Sequence, residues 1–121
     1  MCRFAPDARV PAWALEGGFF CVVRTSDELS IVCREDVCRE DRMPEVASAE
    51  RGWVALKLEG PFPLSMTGVL ASFLQPLAEA QIPIFAISTF DRDYVLIKRE
   101  NLEQAVVALG AARHENIGQA G

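Results

Sequence analysis

Residues 83–98 read PIFAISTFDRDYVLIK, two apolar runs joined by a short polar segment. The runs at 83–89 and 94–98 are rich in β-branched and aromatic residues and flank a turn-like segment, so they predict a β-hairpin. The joining segment carries hydroxyl groups, an aromatic ring and two carboxylates. A turn needs fewer polar groups than this, which raises the question of what else these residues do.

The flanking sequence predicts one more strand and two helices. Residues 53–60 (WVALKLEG) alternate apolar and polar positions, as in a strand with one buried face. A helix is predicted from about Thr67 to Ala80, with Thr67 as its N-cap and a kink at Pro76, and a last helix is closed by Gly110. Apolar residues at helical spacing are expected to be buried against the sheet: Leu70, Phe73, Leu74, Leu77, Leu102, Val106 and Leu109.

From residue 53 the predicted order is β-α-β-β-α, one strand short of the βαββαβ unit of ferredoxin-like α+β folds. The runs FFCVVR (19–24) and LSIVCR (29–34) predict a second hairpin, which we expect to supply the missing edge strand. Residues 35–52 are highly charged and predict a surface loop with room for one short strand. The tail at 113–121 is expected to be flexible.

Composition restricts the functional classes. The chain has 121 residues, half of them apolar, enough for a core without disulfides. Its formal net charge is −5 and no basic run exceeds two residues, which argues against a nucleic-acid partner. No segment resembles a signal peptide or the roughly 20 apolar residues of a membrane span, so we expect a cytoplasmic protein. Its four cysteines are expected to be reduced, with Cys21 and Cys33 in the core.

The sequence gives little support to catalysis. His114 is the only histidine and lies in the tail, and there is no Cys-x-x-Cys pair to hold a metal. Neither G-x-G-x-x-G nor a Walker-type phosphate loop occurs. We therefore expect no enzyme activity, no cofactor and no metal.

The sequence from 53 to 109 resembles the ACT-domain family, in particular small bacterial proteins related to the cytosolic arginine sensors called CASTOR. The glycine–proline loop, the serine near Thr67-Gly68 and the block ISTFDRDYVLIK carry the resemblance. Gln81 stands where glycine is often seen, and Arg92 where a small polar residue is common. The resemblance implies a degenerate ACT-like half at 1–50 and an ACT domain at 51–112.

ACT domains bind amino acids and other small effectors, and this implies a ligand site formed by two segments. The first helix would receive the ligand carboxylate at its unpaired amides, where the helix dipole favours an anion. The turn after the next strand would receive the ammonium at Asp91 and Asp93 and at strand-end carbonyls. The expected ligand-binding residues are Ser65, Met66, Thr67, Gly68, Val69, Leu70, Ser88, Thr89, Phe90, Asp91 and Asp93.

These residues also have structural interpretations. Thr67 could serve only as a helix cap, and Phe90 could belong to the core. Asp91 and Asp93 could be turn formers that bond to their own backbone. For Asp91 both interpretations stay open, whereas for Asp93 the structural one is favoured.

The sequence thus predicts a regulatory module that binds a free amino acid, without naming that amino acid or the downstream protein. The alternative is an interaction or dimerisation module with an empty or lost ligand site. In either case we expect a homodimer, because ACT-like units commonly pair and the apolar content is high.

Overall fold

The computed structural model describes residues 1–38, 48–58, 68–111 and 117–120, with Val69 and 117–120 described by their backbone. The chain divides into two compact units, Met1–Gly52 and Trp53–Ala120. Within these described ranges, no helix is both long enough and apolar enough to cross a membrane.

Unit 1 is a small antiparallel sheet. Its strands are β1 (Cys2–Phe4), β2 (Phe20–Arg24), β3 (Leu29–Cys33) and β4 (Ser48–Ala49), in the order β2-β3-β1-β4. A short 3-10 helix, Ala12–Leu15, lies between β1 and β2 in the sequence. Phe4, Leu29 and Ile31 are almost completely buried and form the centre of its core. The hairpin predicted at 19–34 is therefore present as β2 and β3.

Unit 2 contains the complete βαββαβ order. Its elements are β5 (Trp53–Leu58), α1 (Val69–Glu79), β6 (Ile84–Ser88), β7 (Asp93–Lys98), the 3-10 turn Arg99–Asn101, α2 (Leu102–Ala111) and β8 (Ile117–Ala120). The strands form an antiparallel sheet in the order β6-β7-β5-β8. This is the ferredoxin-like α+β fold that the sequence predicted.

The origin of the fourth strand was predicted wrongly. Residues 117–120, expected to be part of a flexible tail, pair with β5 from Ala55↔Ala120 to Leu58↔Ile117. The hairpin at 19–34 pairs instead within the sheet of unit 1. The segment IGQA is short, contains a glycine and does not alternate, so nothing in its pattern indicates a strand. It forms one because β5 otherwise presents an unpaired backbone edge.

The core of unit 2 lies between the sheet and the two helices. Val54, Leu56 and Leu58 alternate along β5 and face it, which confirms the predicted pattern. The helices contribute buried Phe73, Leu77, Ala105 and Leu109, with half-buried Leu70, Leu74 and Leu102 packed beside them.

One predicted core residue was wrong. Val106 has 57% of its surface exposed, because α2 turns Ala105 and Leu109 toward the sheet. Adjacent helical residues are about 100° apart around the axis, so Val106 lies beside this buried row. Val107 is also exposed, at 67%.

The end of α1 explains an unusual residue in the sequence. The helix continues past Pro76 to Glu79, and the chain then reverses at Gln81, whose φ of 59° is in the left-handed region. The Ile82 amide donates to the Leu77 carbonyl at 3.0 Å and so closes the helix end. Gln81 thus occupies a conformation that glycine adopts without strain.

The two units share one strand order. In each sheet the hairpin strands occupy the first and second positions, and the strand that comes first in the chain occupies the third. The registers of the two hairpins also match. The pairs Arg24↔Leu29 and Phe20↔Cys33 in unit 1 are equivalent to Ser88↔Asp93 and Ile84↔Ile97 in unit 2, with the same difference in residue number at every position. Between its first two strands unit 1 has the 3-10 helix Ala12–Leu15, whereas unit 2 has α1 at the equivalent place.

Candidate functional site

One edge of the unit 2 sheet collects the predicted polar residues. Strands β5 and β6 are both antiparallel to β7, so they run parallel and their carboxyl ends lie at the same edge. They are not neighbours, as β7 lies between them. Helix α1 connects the end of β5 to the start of β6, so it begins on the side of this same edge. We call Gly68–Leu70 together with Ser88–Asp93 the turn edge.

The start of α1 differs from the prediction. The N-cap is Gly68, with φ 78° and ψ −2°, and the predicted cap Thr67 lies outside the described residues. The Ser72 amide makes the first helical hydrogen bond, donating to the Gly68 carbonyl at 2.9 Å. Because glycine has no side chain, the N-cap residue cannot cap the first amides of α1 as serine or threonine would. These amides are the candidate anion donors.

The remaining predicted residues of this segment divide into two groups. Ser65 and Met66 lie outside the described residues. Leu70 is half-buried with its side chain packed against the core, so its backbone is the part that could face a ligand. The helix start therefore offers backbone groups.

The turn after β6 is fixed by Thr89. Its amide donates to the Arg92 carbonyl at 2.8 Å, and its hydroxyl donates to the same carbonyl at 3.2 Å. The Arg92 amide donates to Thr89 Oγ1 at 3.1 Å. At the base of the turn, the Ser88 hydroxyl donates to Asp93 Oδ1 at 2.6 Å. The polar groups of Ser88, Thr89 and Asp93 thus have local structural partners.

The tip of the turn is exposed. Phe90 has 78% of its surface accessible, so its interpretation as a core residue was wrong. Asp91 is also exposed. The ring of Phe90 and the side chain of Asp91 are thus both accessible at the tip of the turn.

The same turn occurs in unit 1. The Thr25 amide donates to the Glu28 carbonyl at 2.8 Å, and the Glu28 amide donates to Thr25 Oγ1 at 3.2 Å. Both turns have the pattern Thr-x-Asp-x, as Thr25–Glu28 and Thr89–Arg92. Threonine is therefore explained by the turn in both units. The turn does not explain Phe90 and Arg92, since the equivalent positions in unit 1 are occupied by Ser26 and Glu28.

Arg92 is a candidate functional residue that sequence reasoning did not include. Its Nη1 donates to the Asp91 carbonyl at 3.1 Å, and its side chain is half-buried. Its Nε is buried and meets no hydrogen-bond acceptor in the part of the chain that the structure describes. The signal was visible in the sequence as a departure from the family pattern at this position. A buried guanidinium donor at the turn edge suits a carboxylate.

The described residues contain no group of three or more His, Cys, Asp or Glu side chains arranged to hold a metal ion. The turn edge instead combines a cation at Arg92, a carboxylate at Asp91 and helix-start amides. Such a combination suits a small molecule that carries both charges.

The fold of unit 2 is that of a class of small regulatory domains. A model of the ACT-domain family matches residues 48–111, more than half of the chain, so the chain belongs to the ACT-domain family. A further family model, for an N-terminal domain, matches residues 1–46. ACT domains are regulatory modules.

Two mammalian relatives resemble parts of the chain. A human protein named CASTOR3P is 30% identical over 92 residues, which are 69% of this chain and 56% of the relative. The bovine cytosolic arginine sensor for mTORC1 subunit 1 is 24% identical over 97 residues, covering 75% of this chain and 30% of that protein. The chain thus spans between about a third and just over half of these relatives.

Solved structures have the same fold. The crystal structure of protein Atu0741 from Agrobacterium tumefaciens is 39% identical, with a TM-score of 0.84 over 94% of this chain and 81% of that one. Aspartokinase alpha and beta subunits are similar at 23% identity and a TM-score of 0.60, over 94% of this chain and 90% of that one. At this identity the second likeness supports the fold alone.

Proposed function

We propose that this chain is a sensor module that binds a free amino acid at the turn edge of unit 2 and passes the bound state to a partner protein, without catalysis of its own. The observation that carries the proposal is the juxtaposition of half-buried Arg92 and exposed Asp91. An amino acid is a zwitterion, and it needs one cationic and one anionic partner within a short distance. These adjacent residues offer both charges.

Each part of the ligand has a candidate partner. The carboxylate accepts hydrogen bonds from Arg92 and from the first amides of α1 beyond Gly68. The ammonium donates to Asp91, whose carboxylate is exposed. Phe90 covers the aliphatic part of the ligand side chain, which removes its exposed ring from water. Ser88, Thr89 and Asp93 hold the turn in place through the bonds described above.

The names of the relatives support the ligand class. The bovine relative is described as a cytosolic arginine sensor. By analogy we place this chain in the cytosol and propose an amino acid as its effector. The particular amino acid is left to experiment, because the match covers less than a third of that protein's length.

A screen of thermal stability tests the proposal. Purified protein is melted with each of the twenty amino acids in turn, because a ligand that binds only the folded state raises the melting temperature. At least one amino acid is expected to raise it. Arg92→Gln should reduce the rise, whereas Arg99→Gln, at an exposed position in the 3-10 turn after β7, should not. Equal rises in both variants would remove Arg92 from the site.

A second function is supported by the exposed apolar surface of α2. Val106 and Val107 are 57% and 67% exposed. In addition, β6 and β8 are the two outermost strands of the unit 2 sheet. Exposed apolar helix faces and sheet edges both favour association, so we propose a homodimer. Light scattering at micromolar concentration should return about twice the 13.3 kDa of one chain, and a value of one chain mass would contradict it.

A further inference from the structure

Two cysteines lie against each other inside unit 1. Cys2 Sγ and Cys38 Sγ are 3.5 Å apart, and the two residues are only 4% and 5% exposed. The sequence had indicated Cys21 and Cys33 as core residues, but these two are only half-buried. The close pair therefore joins β1 to the segment that follows β3, 36 residues along the chain.

We propose that Cys2 and Cys38 form a reversible disulfide that ties β1 to the segment after β3. The sulfur atoms must approach by about 1.5 Å to reach the disulfide bond length of about 2.05 Å. Cys38 lies five residues beyond the end of β3, outside regular structure, so the movement does not require a strand to shift. The bridge would close a loop from Cys2 to Cys38, and this loop would restrict the conformations of unit 1 in the unfolded chain as well as in the folded one.

The oxidation is balanced with hydrogen peroxide as the oxidant. The Cys38 sulfur attacks one peroxide oxygen, the O–O bond breaks, and Cys38 becomes a sulfenic acid with release of one water. The Cys2 sulfur then attacks the Cys38 sulfur, the S–O bond breaks, and the hydroxyl leaves as a second water with the Cys2 proton. Two thiols and one peroxide thus give one disulfide and two waters.

Burial makes Cys2 a poor first nucleophile toward peroxide, so the oxidation is written with the first attack at Cys38. Burial, with a contribution from the neighbouring Cys38 thiol, raises the pKa of Cys2 to about 12. The thiolate is the nucleophile, so Cys2 is a slow first reactant at neutral pH. Its burial also means that the pair oxidises slowly, on exposure to peroxide at elevated concentration.

Cys33 is the competing partner. Cys33 lies at the end of β3. Burial raises the pKa of Cys33, and the nearby Cys38 thiol adds to this rise. Cys21 pairs with Val32 across the β2–β3 ladder and is not among the residues of the unit 1 core. Cys21 is therefore the matched control, because it is a cysteine of unit 1 that lies outside the pair.

The test treats the folded protein with hydrogen peroxide and counts thiols. The wild type should fall from four titratable thiols to two, and dithiothreitol should restore four. Peptide mapping under non-reducing conditions should find the Cys2–Cys38 bridge. Cys21→Ser should form the same bridge, and Cys38→Ser should lose it.

Three results would overturn the proposal. The first is a bridge between Cys33 and Cys38 in place of Cys2 and Cys38. The second is oxidation to sulfinic acid without a bridge. The third is retention of four thiols in the folded wild type under conditions that oxidise the urea-unfolded chain. None of these results depends on a variant that folds, since all are read on the wild type.

Discussion

Thr89 and Arg92 are joined by three hydrogen bonds that close the turn between β6 and β7. The Thr89 amide and hydroxyl both donate to the Arg92 carbonyl, at 2.8 Å and 3.2 Å, and the Arg92 amide donates back to Thr89 Oγ1 at 3.1 Å. This pairing leaves Phe90 and Asp91 at the exposed tip. The threonine thus positions the residues that we assign to the ligand.

Thr89→Val removes the hydroxyl and keeps the β-branched shape. Two of the three bonds are lost, so the free energy of unfolding should fall by about 1 kcal/mol. Thr25→Val makes the same change in unit 1 and should cost a similar amount. Urea denaturation measures both. Only Thr89→Val should also weaken amino-acid binding, and equal binding losses in the two variants would contradict the assignment of the ligand to unit 2.

Two positions with positive φ at the ends of α1 should respond in opposite directions. Gly68 has φ 78° and a Cβ there would meet none of the described heavy atoms within 4 Å, so Gly68→Ala tests backbone conformation without a clash among them. It should destabilise the protein by about 1 kcal/mol. Gln81→Gly, at φ 59°, should stabilise it by up to about 1 kcal/mol. Thermal melts that move in the same direction for both variants would refute this explanation.

The packing of the helices can be tested with one buried and one exposed residue. Leu77 is 1% exposed in the core of unit 2, and Leu77→Ala should cost about 2 to 5 kcal/mol. Val106 is 57% exposed, and Val106→Ala should change the free energy of unfolding by less than about 0.5 kcal/mol. Denaturation is measured at protein concentrations too low for the chain to dimerise, so that a change in packing is separated from a change in association. A large loss for Val106→Ala there would place Val106 in the core after all.

The thiol of Cys2 should make stability depend on pH in the alkaline range. Burial and then the Cys38 thiol raise the pKa of Cys2 from 9.0 to about 12, the Cys33 thiol adds to the rise, and the ammonium group of Met1 opposes it. Above about pH 9 the unfolded chain releases this proton before the folded one does. The free energy of unfolding should therefore be unaffected below pH 9 and fall from pH 9 toward 12.

Urea denaturation in reducing buffer from pH 7 to pH 11 measures this dependence. Cys2→Ala is the control, because it lacks the Cys2 thiol and keeps every other titratable side chain of the wild type. The difference between wild type and Cys2→Ala should diminish as the pH rises above 9. Parallel pH profiles would show that the Cys2 thiol is not the cause.

Much of the fold could be predicted from residues 53–109, because period-two alternation in β5 and helical spacing in α1 are strong signals. Leu56 and Leu77 are buried as these patterns require. Strand β8 could not be predicted, because IGQA owes its conformation to the unpaired edge of β5 rather than to its own residues. Val106 was misassigned because α2 carries more apolar residues than its buried face needs.

The candidate site was less predictable than the fold. Placing the helix start and the turn at one edge followed from chain order, since parallel strands end on the same side. The sequence could not separate Thr89, which has a structural role, from residues without one, because that distinction came from the equivalent turn at Thr25. Arg92 was overlooked because burial of its Nε depends on tertiary packing.

Asp91→Asn tests the ammonium partner. The change removes a charge while keeping the size and the hydrogen-bonding capacity of the side chain, so binding should weaken by about 1.5 to 3 kcal/mol with little loss of stability. Asp27→Asn is the matched control, since Asp27 has the same place in the turn of unit 1. Calorimetry on both variants measures the loss. If Asp91 is only a turn former, asparagine will serve as well and binding will be unchanged.

The most direct measurement of the central claim is calorimetric titration of the reduced wild-type protein with each of the twenty amino acids. We expect saturable heat with one or a few of them, and a large reduction of that heat in Arg92→Gln and Asp91→Asn. An absence of saturable heat with all twenty amino acids, from protein whose melting is cooperative, would contradict the sensor and leave the dimerisation module as the function of this fold.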